Sequence, residues 1–390
     1  MFVGQRCWDA IVVGAGPAGA LAARQLARTG VQVLLVDQKT FPRWKVCGAC
    51  VNQQALSVLH DVGLEQLVAS LSAVPIKTFQ MCVAEKHASI NLPGGIVVSR
   101  SQFDAALVEA ARDAGVEFLP ETRAVLGAAE TSARFVELHH SGRSVVVRSQ
   151  VVLAAGGLSS RFLAGARPFS TKTYSNSRIG AGVVVCDESD RYLPGTIYMA
   201  VGRHGYVGIV RMEDGRLNIA AALNRRLVKQ AGSVDAAVGE ILLNAGLTLP
   251  ICGDDLASGW TRDCDWQGTV TLTRRTSPIA HDRVFLLGDA AGYVEPFTGE
   301  GIAWALTSAQ SVAPLAARVL VGWEPELAAE WTSLHRSIIG RRQWVCRAIA
   351  ASLRHSLAVG GALRLLSWKP TLATPLIQRL NAPVSKDFSS

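Results

Sequence analysis

Charge is scarce in this chain: only 18% of its 390 residues are Asp, Glu, Lys or Arg, while 49% are hydrophobic. That balance excludes intrinsic disorder. No Gly-X-Y period and no sustained heptad runs through the sequence, so collagen-like and coiled-coil classes are excluded too. Eight cysteines, at 7, 47, 50, 82, 186, 252, 264 and 346, lack the density of a disulfide scaffold and read as free thiols of a reducing, cytoplasmic setting. Cys47 and Cys50 form the only C-x-x-C, with no second pair to complete a zinc site. His139 and His140 are neighbours on a strand and point to opposite faces. No metal is expected. The most apolar late window, Ile302–Trp323, contains Thr307, Ser308, Gln310, Ser311 and Arg318, too polar for a simple spanning helix.

What remains is enough chain for about two domains, at ~150 residues each. The formal net charge of +8 is unevenly placed. From Trp331 onward the positive residues are Arg336, Arg341, Arg342, Arg347, Arg354, Arg364, Lys369, Arg379 and Lys386, and Asp387 is the sole acid, so the first 330 residues are balanced. A basic helical tail with Trp331, Trp344 and Trp368 set among aliphatic residues fits an anionic partner, or a packed helix pair whose arginines are merely solvated. The anionic partner is an acidic acyl-carrier protein or an anionic membrane surface, met through Arg336, Arg341, Arg342 and Arg347; no nucleic-acid motif accompanies the charge.

Asp9–Val13 reads as a buried strand, followed by Gly14-Ala15-Gly16-Pro17-Ala18-Gly19 and a helix closed at Gly30. Val31–Val36 reads as a second strand ending in Asp37. Strand, glycine turn, helix, strand and acid in this order form a dinucleotide-binding βαβ unit, which also explains why residues 1–25 are not read as a leader. Gly14 serves the tight turn, Gly16 the approach of a pyrophosphate, and Gly19 the packing of helix on sheet. Asp37 accepts ribose hydroxyls and argues against a 2′-phosphate, leaving NAD or FAD.

A second glycine site follows the strand Arg283–Leu287: Gly288-Asp289-Ala290-Ala291-Gly292, then Pro296-Phe297-Thr298-Gly299-Glu300-Gly301-Ile302 opening a helix. With these segments the chain resembles the FAD-dependent oxidoreductases of the para-hydroxybenzoate hydroxylase superfamily, and within it the geranylgeranyl reductase-like branch. Phe41-Pro42-Arg43-Trp44-Lys45-Val46-Cys47-Gly48 is similar to the branch's segment beside the flavin. The resemblance implies that Asp289 holds the FAD ribityl chain, that the amides after Pro296 face the flavin pyrimidine ring, and that Arg100 reaches the diphosphate. Arg43 and Lys45 either balance the flavin's charge or simply solvate a loop, and Gln38, Val125, Gly156 and Gly288 complete the expected cofactor contacts. The family's A-D-G-x-x-S-x-x-R signature falls at Ala155–Arg161, where Ala155 replaces the Asp and the Arg stands one residue early. That departure weakens an inference of NAD(P)H-linked hydroxylation.

The implied fold is α/β: a Rossmann-like FAD-binding domain (1–75, 100–168 and 276–325), an inserted and mostly antiparallel substrate sheet (76–99 and 169–275), and a basic helical C-terminal region (326–390). Thr196–Val201, Tyr206–Met212 and Arg216–Leu223 read as a meander with its last turn at Glu213-Asp214-Gly215. In the resemblance this sheet roofs the flavin. Tyr206–Val210 stands where geranylgeranyl reductases carry a more aromatic motif, and the tryptophan-rich motif of flavin halogenases is absent.

Cys47 is the leading chemical candidate, as a thiol near the flavin able to deliver a proton; the plainer reading is a small buried hydrophobe. His204 and Tyr206 could donate a proton or anchor a head group, or could be satisfied structural residues. The expected activity is FAD-dependent reduction, or in reverse dehydrogenation, of a carbon–carbon double bond in a prenyl, acyl or polyketide-like substrate, with NAD(P)H visiting transiently. The alternatives are a monooxygenase working through a C4a-hydroperoxyflavin and a non-catalytic FAD-binding protein docked through its tail.

Overall fold

Four consecutive residues with both faces buried are the mark of a strand inside a parallel sheet. Ala10–Val13 and Val33–Val36 have this pattern. The computed structural model, which describes residues 7–159, 161–250, 264–295 and 297–381, places them side by side. The parallel strands run in the order Val284–Leu286, Arg143–Ala154, Cys7–Val13, Val33–Val36 and Glu117–Leu119. Cys7–Val13 sits where connections leave in both directions, the topological switch point at which such sheets bind nucleotides. Helices Pro17–Ala27, Arg100–Asp113 and Gly301–Val321 pack in succession, and their apolar faces share one core cluster with the sheet.

The polar residues that make Ile302–Trp323 a poor membrane span have local partners. Ser308 Oγ accepts the Gly288 amide at 3.1 Å and donates to the Ala305 carbonyl at 2.8 Å. Thr307 Oγ1 accepts from Gln54 Nε2 at 3.3 Å. The helix thereby holds the second glycine turn in place. No helix among the described residues is long and apolar enough to cross a membrane.

The second sheet has seven strands: Gln267–Thr271, Ile179–Val185, Leu217–Leu223, Gly205–Arg211, Thr196–Gly202, Thr78–Val83 and Lys86–Asn91. All pairings are antiparallel except Thr196–Gly202 with Thr78–Val83. Side chains alternate between its faces. Val207, Ile209 and Ile219 join a core cluster with helix Val234–Asn244, while Met199, Tyr206, Gly208, Val210 and Ala222 face a cavity. The Glu213–Gly215 turn lies as expected, with Gly215 at φ +81° and the Asp214 carboxylate accepting the Arg216 amide at 3.0 Å.

The C-terminal region is helical. Helix Pro325–His335 passes through a π turn at Arg336–Gly340 into Arg341–Ser352, and Ser356–Trp368 and Thr374–Asn381 follow. One expectation is corrected here: Trp331 is no surface residue. It is fully buried, and its indole N–H donates to the Leu286 carbonyl at 3.2 Å. Arg342 also turns inward and donates to Gln54 Oε1 at 2.5 Å. Arg379 has no described side chain, and Lys386 and Asp387 lie outside the described residues.

Candidate active site

The first glycine turn is built by contacts that leave no space for side chains. Gly14 has φ +103°, and a Cβ there would stand 2.5 Å from the Ala155 carbonyl oxygen; one on Gly19 would stand 1.8 Å from the Gly14 carbonyl oxygen. Both glycines shape the turn and do not line the cavity. Gly16 differs: its side faces open space, bounded by Arg43 Nη2 at 3.6 Å and Arg100 Nη2 at 3.9 Å. Asp37 stands at the end of the second strand, where the Ala15 amide at 2.8 Å and the Lys39 amide at 2.9 Å fix its two carboxylate oxygens.

Three cations converge on this turn. Arg100 binds Asp104 through Nε at 2.8 Å and Nη2 at 2.7 Å, with the Cys47 side chain close by. Arg43 Nη1 lies 3.2 Å from Asp104. Lys45 Nζ stands 3.0 Å from the position a Cβ on Gly157 would take. Burial, together with Arg100 and Arg43, holds the Lys45 pKa below its ordinary value. Asp104, Asp37 and Asp289 stand beside these cations, yet Arg43 and Arg100 still border the open space at Gly16, and the amides of the helix beginning at Pro17 favour negative charge there. The donor set fits a dinucleotide diphosphate beside Gly16, with Asp37 on a ribose.

The second glycine turn closes the other end. Gly288 has φ +53°, and Asp289 follows it into the cavity. Burial raises the Asp289 pKa while Lys45, Arg100 and Arg274 pull it down. Gly299, Gly301 and Ile302 line the cavity at the start of a 21-residue helix, whose N-terminal amides favour negative charge on a bound ring. Glu300 is buried behind them and outside the cavity wall; Pro296 lies outside the described residues.

Both glycine turns open into one cavity of about 1030 Å³. Of the predicted contacts, Gly16, Pro17, Ala18, Asp37, Gln38, Arg43, Lys45, Cys47, Gly48, Arg100, Gly156, Gly288 and Asp289 line it. Val125 does not: it is an interior residue of the strand Thr122–Ala129, paired with Glu137. Arg161 is exposed and also outside the cavity wall.

The predicted chemical residues separate. His204 is corrected: it is exposed at the turn between two strands, two residues before the wall, and its carbonyl accepts the Asn224 amide at 2.8 Å. Cys47 lines the cavity, its carbonyl held by Asn218 Nδ2 at 2.8 Å. The neighbouring Cys50 donates to the Gly48 carbonyl at 3.2 Å, and burial and Cys47 push its thiol up to about 12. Tyr206 is 4% exposed and lines the cavity, and its hydroxyl makes no hydrogen bond. The ring is held edge-on by Phe297 at 5.2 Å and under the Arg178 guanidinium at 5.4 Å, which itself is fixed to Glu295 at 2.7 Å. Burial, with Glu295 next, raises its pKa well above that of a free tyrosine, so the hydroxyl is protonated near neutrality.

Tyr293 and Phe297 were missed in the sequence. Tyr293 lines the cavity beside Gly301, and Phe297 meets both Tyr206 and Phe79 edge-on. Their signal was two aromatics in the short stretch between Gly292 and Gly299. The far wall comes from the C-terminal helices through Ile349, Leu353, Val359, Leu366 and Ile377.

A dinucleotide cradle opening into an apolar chamber is the arrangement of an FAD-dependent oxidoreductase, and the comparisons agree. Residues 8–215, just over half of the chain, match the FAD binding domain family, and the chain belongs to it. It is 27% identical over 358 residues to menaquinone reductase of Mycobacterium tuberculosis, covering 88% of this chain and 84% of that one. It is 26% identical over 331 residues to digeranylgeranylglycerophospholipid reductase 1 of Methanococcoides burtonii, covering 80% and 75%. A geranylgeranyl bacteriochlorophyll reductase-like structure from Thermoplasma acidophilum superimposes with a TM-score of 0.79 at 20% identity, over 97% of this chain and 96% of that one. A flavin-dependent brominase and a p-nitrophenol 4-monooxygenase share the fold, so the fold alone does not name the reaction.

Proposed function

We propose that this protein reduces a carbon–carbon double bond in a long, unsaturated, apolar substrate. The observation that carries the reading is the chamber itself: its lining beyond the two glycine turns is mostly aliphatic and aromatic, with the unpaired Tyr206 hydroxyl deep in the wall. The two relatives above are named as reductases of menaquinone and of digeranylgeranylglycerophospholipid, which supports it.

Bound FAD, once reduced, supplies a hydride. Arg43, Lys45 and Arg100 would hold the diphosphate, Asp37 a ribose, and Asp289 the ribityl chain. The helix starting at Gly301 would turn its amides to the group and favour negative charge on it. Tyr206 holds the second hydrogen of the product as a proton on its hydroxyl, in a pocket whose apolar walls keep water from competing. Cys47, beside Arg100, would position its own segment against the group. The electrons come from a nicotinamide dinucleotide that visits transiently, since among the described residues one βαβ cradle is present and FAD takes it.

The test is to reduce the flavoprotein under argon and add unsaturated isoprenoid lipids. Oxidation of the flavin with a product heavier by two hydrogens supports the reading. Reoxidation only by dioxygen, with oxygen in the product, overturns it.

A further inference from the structure

The cavity opens on the C-terminal side. Ala348, Ser352, Ala362, Leu365 and Leu372 each line it and are also exposed, so they form its rim. Leu365 is 49% exposed; outside the rim, Trp344 and Trp368, which do not line the cavity, are 68% and 80% exposed. Arg341, Arg347, Arg364 and Lys369 are exposed on the same helices, and residues 331–381 contain no acid. The rim is therefore apolar, its surround is indole and cation, and the opposite sign of charge is missing.

We infer that this rim docks on an anionic lipid bilayer and that an apolar substrate passes from the bilayer into the chamber between the C-terminal helices. Indole rings partition to the boundary between headgroups and acyl chains, and basic side chains beside them are drawn to anionic headgroups. Among the described residues no helix is long and apolar enough to cross a membrane, and in this reading the C-terminal helices lie on the membrane plane. The geometry also solves a transfer problem: a long apolar molecule entering here never crosses water. An acidic carrier protein would satisfy the cations, but it has no use for two unpaired indoles around an apolar opening. What enters rests on the proposed apolar substrate; the docking is measured without turnover, so the two readings fail separately.

The test is co-sedimentation of the FAD-loaded full chain with vesicles of phosphatidylcholine alone and of phosphatidylcholine with 30% phosphatidylglycerol, roughly the anionic content that gives a strong surface potential. Binding to the anionic vesicles is expected, weak or absent on the neutral ones, and weakened by added salt. A Trp344→Ser/Trp368→Ser pair and an Arg347→Glu/Arg364→Glu/Lys369→Glu triple should each retain flavin and thermal stability. The triple should lose binding on the order of a hundredfold, as each basic residue near such a surface contributes about fivefold. The tryptophan pair should lose it about tenfold or more. Equal binding to both vesicles, unchanged binding by either variant, or capture by a purified acidic acyl-carrier protein with no vesicle binding would each overturn the inference.

Discussion

The Glu300 carboxylate accepts the Trp304 indole N–H at 2.8 Å one helical turn away, while its other oxygen makes no hydrogen bond. The group is 1% exposed at the head of the helix that faces the flavin site. Burial raises its pKa from 4.5 to about 7, against the pull of Arg342 and the bond from Trp304. Between these values the folded state holds a proton that the unfolded chain has lost, so stability falls as pH rises through this window and levels above it. Denaturant titrations from pH 4.5 to 8 should show a decline of up to about 3 kcal/mol. Glu300→Gln, which retains an acceptor for Trp304, should flatten it; an unchanged slope would assign the decline to other groups.

Gly16 and Gly19 should fail differently when changed to alanine. At Gly19 the added methyl meets backbone at 1.8 Å, so the chain should not accumulate folded. At Gly16 it meets nothing nearer than 3.6 Å and occupies the phosphate approach instead. Gly16→Ala should fold with near-normal circular dichroism and lose FAD affinity at least about tenfold, a loss of about 1.4 kcal/mol.

Removing the Tyr206 hydroxyl tests its role as proton source. Tyr206→Phe keeps the ring between Phe297 and Arg178 and removes a buried hydroxyl with no partner, so thermal stability should hold or rise. Turnover should fall about 10²- to 10⁴-fold with little change in KM, the usual worth of a positioned acid. Unchanged turnover would move the proton to Cys47 or Tyr293.

The C-terminal tryptophans should divide by burial. Trp331→Ala removes a fully buried indole and should cost about 3–5 kcal/mol. Trp368→Ala, at 80% exposure, should be within about 0.5 kcal/mol of neutral in thermal melts without lipid.

The nucleotide half was legible in the sequence because its constraints are local. A turn, a helix start and an acid within some thirty residues dictate one another, and Gly14 to Asp37 could be read without knowing the rest of the chain. The substrate half depends on register. His204 and Tyr206 are two residues apart and equally plausible on paper; pairing of Tyr206 with Val201 and Ala222 puts it in the wall, while His204 falls in the turn. Tyr293, Phe297 and Arg178 gather around Tyr206 from distant stretches of chain, which no spacing rule encodes. The tail was legible as charge and not as shape. Its apolar residues proved to be partly core, as at Trp331, and partly chamber wall, as at Leu353 and Leu366.

The parallel sheet draws Val284–Leu286 to pair with Arg143–Ala154, across five of the seven strands of the second sheet in sequence. During synthesis the first glycine turn leaves the ribosome well before the strand that leads into Gly288, which follows about 270 residues later. Until then the nascent chain carries half a nucleotide site and an uncovered sheet edge, an arrangement that favours slow assembly and contact with chaperones. Cofactor capture is thus a late event in the life of the polypeptide, and expression with scarce riboflavin should deplete the folded protein more than its messenger would predict.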